Sequence, residues 1–204
     1  MRNGGTKRVF IIALTACFAL LLFLFARQSV EDEMKIEQRY PRKNMTISLR
    51  VDDDGVLYID GEGKLYADDL NALVKTEGFH WRKIEHVIIG DGITELGYNS
   101  FTRREKIKTL KLGKSVSRTA PSALRKCTAL EWLFFPSGLQ DISPDFLLDC
   151  NRCRVVTEAQ PEDLPIPDSI KGSERMFAGV DSFEALRERV GDDTELPDEL
   201  ARWW

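Results

Sequence analysis

From residue 84 onward, apolar side chains recur every 23 positions. Ile84, Val87 and Ile89 return as Ile107, Leu110 and Leu112, again as Leu130, Leu133 and Phe135, and in part as Cys153 and Val156. The same interval relates Ile93, Val116 and Leu139, then Leu96, Thr119 and Ile142, then Phe101, Leu124 and Leu147. Within each copy the apolar positions lie three and two apart, and Gly90, Gly92, Gly113, Pro136 and Gly138 interrupt the intervals. Two amphipathic helices with coincident stripes do not produce that spacing. The pattern implies a solenoid in which every coil adds one short strand to a parallel ladder, with strands ~4.8 Å apart. Glu158 falls where the fourth copy needs its last core residue, which ends the array near that point.

Before the repeat, MTISLRV and VLYID flank Asp54-Gly55, a hairpin signal, and Gly61 and Gly63 close the second run. Asp52, Asp53 and Asp54 lack the ligand spacing of a calcium loop and read as a solvated turn. Leu70, Leu73 and Val74 then fall at helical spacing. After the repeat, a proline-rich acidic stretch leads to a second helix, where Asp181 and Glu184 form a capping box. Phe183, Leu186 and Val190 make its apolar stripe, and Gly191 stops it. Solenoids expose raw core at their last coil, so this helix is read first as a C-terminal cap, with a docking helix for another protein as the alternative.

The period, the L-x-x-L-x-L core and the stretches Trp81 to Phe101 (WRKIEHVIIGDGITELGYNSF) and Cys127 to Ile142 (CTALEWLFFPSGLQDI) resemble the bacterial surface-antigen, or BspA-like, leucine-rich repeats. Gly55 to Leu65 resembles the hairpin that caps such arrays. The resemblance covers residues 55–156 and departs from the family pattern at Thr119-Ala120-Pro121, where Ile-Gly is usual. It implies a mixed α/β fold: three to four 23-residue coils, an N-terminal hairpin cap, a C-terminal helical cap, and a surface binding or adhesion role. Side chains alternate faces along a strand, so the residues between core positions point outward. Those are His86 and Ile88, Thr109 and Lys111, Trp132 and Phe134, then Val155 and Thr157, and together they form the candidate ligand-binding face. Trp132 and Phe134 carry two readings. Either they anchor a partner, or the tail covers them, through its helical cap or Trp203 and Trp204.

Val9 to Ala26 holds eighteen residues with neither charge nor proline, behind Arg2, Lys7 and Arg8. At ~1.5 Å per residue it covers ~27 Å of a bilayer core of ~30 Å. The run is longer than a usual signal core, and Leu24 makes a poor cleavage site, so an uncleaved signal anchor is expected ahead of a cleaved signal. The basic head places the N-terminus in the cytoplasm and the body on the extracellular or periplasmic side. Leu14-Thr15-Ala16-Cys17 resembles a lipoprotein lipobox, leaving lipidation at Cys17 as a minority alternative. Residues 1–8 are thus a basic head, 9–26 the transmembrane anchor, 27–44 a charged stalk, 45–83 the capping hairpin and helix, 84–158 the repeats and 159–204 the C-terminal wrap and cap. Beyond the anchor stand all 33 acidic residues but only 26 of the 29 basic ones, a formal charge of −7 that disfavours nucleic acid.

No motif for catalysis or cofactor binding is present. His80 and His86 are the only histidines, and neither a nucleophile elbow nor a phosphate-cradling glycine loop occurs. Cys150 and Cys153 have no second pair to complete a zinc site. Cys127 and Cys150 share a repeat position, leaving a disulfide or two buried thiols, and the family resemblance favours the thiols. The function expected is a non-catalytic, membrane-anchored surface protein that binds a protein or glycan without cofactor or metal. The alternatives are a structural subunit of a membrane assembly and a membrane-bound enzyme with a carboxylate site at the hairpin.

Overall fold

A computed structural model describes residues 47–166, 174–191 and 194–204. They lie in the compact unit Met45–Trp204. The expected anchor, head and stalk lie outside the described residues, among which no helix is long and apolar enough to cross a membrane.

The hairpin forms where Asp-Gly places it. Strand β1 (Ser48–Val51) pairs antiparallel with β2 (Val56–Asp60), and Ser48 faces Asp60. Gly55 takes φ +78, while Asp52 Oδ1 accepts from the Asp54 and Val56 N–H groups at 3.1 and 3.0 Å. That local bonding explains the acidic run as turn chemistry. After β3 (Gly63–Leu65), helix α1 (Ala67–Thr76) buries Leu70 and Val74.

The coils then follow. β4 (His86–Ile89), β6 (Thr109–Lys111), β8 (Trp132–Phe135) and β10 (Arg154–Thr157) alternate with β5 (Ile93–Leu96), β7 (Arg118–Thr119) and β9 (Asp141–Ile142). One sheet runs β1-β2-β4-β6-β8-β10-β11, where β11 is Met176–Ala178, and every pairing beyond the hairpin is parallel. A second sheet, unforeseen in the sequence, runs β3-β5-β7-β9. Each regular coil gives one strand to each sheet, and the core fills the space between.

Val87, Leu110 and Leu133 stack in one apolar column as their period requires. Leu57 precedes them and Val155 and Met176 follow, all six in one buried cluster. Two departures matter. The fourth coil has one residue fewer before its strand, so Leu133 pairs with Val155 rather than Val156. The ladder also passes Glu158 by one further strand, β11, paired to β10.

Coil spacing is set by backbone approach. A Cβ on Gly113 would lie 2.3 Å from the Gly90 carbonyl oxygen, so glycine is required where successive coils stack there. At the opposite turns Arg103, Lys126 and Asp149, again 23 apart, all adopt positive φ, between +60 and +67.

Helix α2 (Phe183–Val190) buries Leu186. Its cap is Ser182, whose Oγ accepts from the Ala185 N–H at 3.2 Å, one residue beyond the expected Asp181. Gly191 ends the helix at φ +82, and a 3-10 segment, Asp198–Trp203, follows.

Candidate binding face

The outward columns of the seven-stranded sheet follow from its register. Val56, His86, Thr109, Trp132 and Arg154 form one. Tyr58, Ile88, Lys111, Phe134, Val156 and Phe177 form the other. Six of the eight residues expected on this face are there: His86, Ile88, Thr109, Lys111, Trp132 and Phe134. Val155 and Thr157 are not. A one-residue slip moves a strand's side chains to the opposite face, so both turn inward, Val155 into the core and Thr157 fully buried, and Arg154 and Val156 take the outward places.

The face is covered. Trp132 and Phe134 are 1% and 3% exposed, in a second apolar cluster with Val156, Val180, Leu186, Leu200 and Trp203. Of the two readings of these aromatics, burial beneath the tail is the one the fold adopts. Phe134 meets Trp203 and Trp204 edge to face at 5.8 and 5.9 Å, and Trp132 packs on Phe177 at 5.8 Å. The Arg154 guanidinium lies over the Trp132 ring at 5.0 Å.

Polar groups hold the same segment down. The Lys111 ammonium donates to the Trp203 carbonyl, and Arg202 pairs with Asp52 and Asp54 and donates to the Tyr58 hydroxyl at 3.3 Å. His86 Nδ1 lies 3.0 Å from Thr109 Oγ1, and its Nε2 is 3.6 Å from Glu199. Burial pulls the His86 pKa below its ordinary value, although Glu199 and Glu85 pull it up. Burial likewise lowers Lys111. For Asp52 burial acts upward, but the Val56 N–H, Arg202 and Tyr58 outweigh it and hold the carboxyl low.

Sequence reasoning missed Val56, Tyr58, Arg154, Val156 and Phe177 on the sheet, and Glu199, Leu200 and Arg202 opposite it. The alternation of VLYID carried the signal for the first two, since its outward residues continue the ladder's columns.

The cysteines lie apart from this face. The Cys127 thiol donates to the Phe101 carbonyl at 3.1 Å and Cys150 to that of Leu124 at 3.0 Å, the same bond repeated one coil on. Contact with Cys150 and burial raise the Cys127 thiol, and burial raises Cys153. Among the described residues no three His, Cys, Asp or Glu side chains are gathered to hold a metal.

Fold and face together define a leucine-rich-repeat solenoid of about four turns, one side of which carries a segment of its own chain. Residues 72–164 match the BspA type leucine rich repeat region in six copies, and this repeat array belongs to that family. Leucine-rich repeat proteins are in general non-catalytic scaffolds for protein interaction. Among solved structures, the chain is similar to a leucine-rich repeat protein from Eubacterium ventriosum ATCC 27560, at 14% identity over 63% of this chain and 44% of that one, TM-score 0.37. It is also similar to the T. pallidum leucine rich repeat protein TpLRR, at 15% identity over 59% of this chain and 60% of that one, TM-score 0.40. The chain therefore spans less than two thirds of either. Comparison with curated proteins gives no match.

Proposed function

We propose that this chain is a non-catalytic protein-recognition scaffold held at a membrane by residues 9–26, with its head cytoplasmic and its repeat domain extracellular or periplasmic. One observation carries the recognition reading: the outer face of the long sheet already seats a peptide segment through aromatic, ionic and main-chain contacts. A surface with that chemistry suits a protein ligand, because aromatic anchors ringed by polar groups are where binding energy concentrates. The hairpin carboxylates Asp52 and Asp54, which an enzyme would need free, are engaged by Arg202. The anchor rests on the uncharged run behind three basic residues.

A photoreactive residue in place of Tyr58 or Ile88 tests the recognition reading in intact cells. One discrete protein adduct is expected, and adducts to lipid or glycan alone refute it. A cysteine replacing Ser29 tests topology. It should react with an impermeant thiol reagent, and protection reverses the orientation.

A further inference from the structure

The middle of the covered face is not what a permanent lid requires. His86 and Thr109 are paired there and Lys111 lies two residues beyond Thr109 on the same strand, where apolar residues would pack against the tail without penalty. A polar group under a lid costs stability unless it is hydrogen bonded. Lys111 meets that demand through the Trp203 carbonyl, a main-chain group that any peptide carries.

The remaining contacts of the segment Asp198–Trp203 have the same character. Leu200 and Trp203, three residues apart, go down onto the apolar part of the face. Glu199 approaches His86, and Arg202 reaches the carboxylates of the hairpin turn. One main-chain hydrogen bond, two apolar anchors at fixed spacing and one charge of each sign at the rim make up a peptide ligand's contacts in a groove.

We propose that the outer face from β2 to β8 is a peptide-recognition groove in which residues 198–203 stand in for a partner. The partner it fits is a protein segment with an acidic residue followed by an aliphatic and then an aromatic anchor, in the spacing of Glu199, Leu200 and Trp203. This rests on the scaffold reading above and supplies its site and ligand class. An outside segment competes with the internal one, so its apparent affinity is reduced by the fraction of time the groove is empty.

The test uses the full chain and a fluorescent synthetic peptide of residues 194–204. Leu200→Ala with Trp203→Ala weakens the internal segment and leaves the groove intact. The peptide should bind this variant at least tenfold more tightly than the unaltered chain by anisotropy. Adding Lys111→Ala and Phe134→Ala should abolish binding, as should replacing Glu199 by Gln and Trp203 by Ala in the peptide. Equal affinity for both chains, or binding that survives the groove changes, overturns the proposal.

Amide exchange on the unaltered chain gives a reading that does not depend on the variant folding. The Leu200 amide should exchange at least tenfold faster than the amides of β8. Equal rates would mean the segment leaves only when the whole domain unfolds, which also overturns the proposal. A dimer in sedimentation that dissociates on the Leu200/Trp203 change would make the segment a connector between copies and would overturn it as well. If the peptide result fails while a protein photo-adduct persists, the scaffold reading stands and the partner engages this face through chemistry other than that of residues 198–203. If the peptide binds but no protein adduct forms in cells, the scaffold reading fails.

Discussion

Replacing Gly113 by Ala adds a single methyl group at the tightest contact between coils. Its Cβ would lie 2.3 Å from the Gly90 oxygen, 2.6 Å from the Gly90 carbonyl carbon and 2.8 Å from the Ile89 oxygen, where ordinary contact begins near 3.4 Å. All three neighbours are main-chain atoms of the preceding coil, so no side chain can swing aside. The coils must instead part by roughly 1 Å in a ladder whose strands sit ~4.8 Å apart. Overpacking costs ~1–3 kcal/mol, and rigid neighbours put this case at the upper end, about 3 kcal/mol. Gly→Ala also returns ~0.4–1 kcal/mol by restricting the unfolded chain. The net loss of about 2 kcal/mol lowers Tm by roughly 4–8 °C in a domain of this size. Gly138→Ala is the control, because its Cβ would meet only the Lys114 oxygen at 3.5 Å. That variant should match or slightly exceed the parent. Paired urea titrations with equal slopes would separate the two. A Gly113→Ala chain as stable as the Gly138→Ala chain would refute the stacking of Gly113 on Gly90, and with it the coil register.

Trp132→Ser and Phe134→Ser, made singly, should each lower stability by ~3–5 kcal/mol in chemical denaturation, as for buried aromatics elsewhere. Unchanged midpoints would place both rings in solvent. Thermal stability should fall as pH drops from 7 toward 5. The His86 pKa is depressed below 6.5 by burial, so its contribution is complete above that value and lost as pH falls through the folded one. Glu199 and Glu85 oppose the shift while Lys108 and Arg202 reinforce it, and His86→Gln should flatten the slope. Cys127, Cys150 and Cys153 are buried, with Cys127 and Cys153 held as protonated thiols. All three should resist a thiol reagent in the native chain and react together on unfolding, and fast labelling of any one in native buffer would contradict that burial.

The repeat was legible because its physical cause is periodic. A column such as Val87, Leu110 and Leu133 needs an apolar residue at each turn of the coil, and the interval between them shows in the sequence. The hairpin was legible for a local reason, since Asp54-Gly55 between alternating runs allows few other turns. The fourth coil was not, because Val155 and Val156 are both apolar and only the length of the preceding turn decides which faces in. The second sheet escaped because Arg118-Thr119 and Asp141-Ile142 are strands of two residues, too short for any alternation. Six of eight face positions followed from strand alternation alone. Their burial did not, since it depends on where a segment some seventy residues further along comes to rest.

That distance bears on how the face works. Residues 198–203 contact three parts of the chain laid down at different times: the hairpin at Asp52, Asp54 and Tyr58, the first regular coil at His86, and the next two at Lys111 and Phe134. Arg202 alone joins positions 150 residues apart in sequence. Such contacts are expected to form late in folding, because the closure entropy of a long loop must be met before they contribute. The stacked coils make the ladder and fill the main core, and Lys111, Thr109 and His86 stand on strands of that ladder. A face whose strands belong to the ladder takes its backbone from the stacked coils and not from the segment that covers it, which is what the proposed exchange for another segment of like chemistry requires.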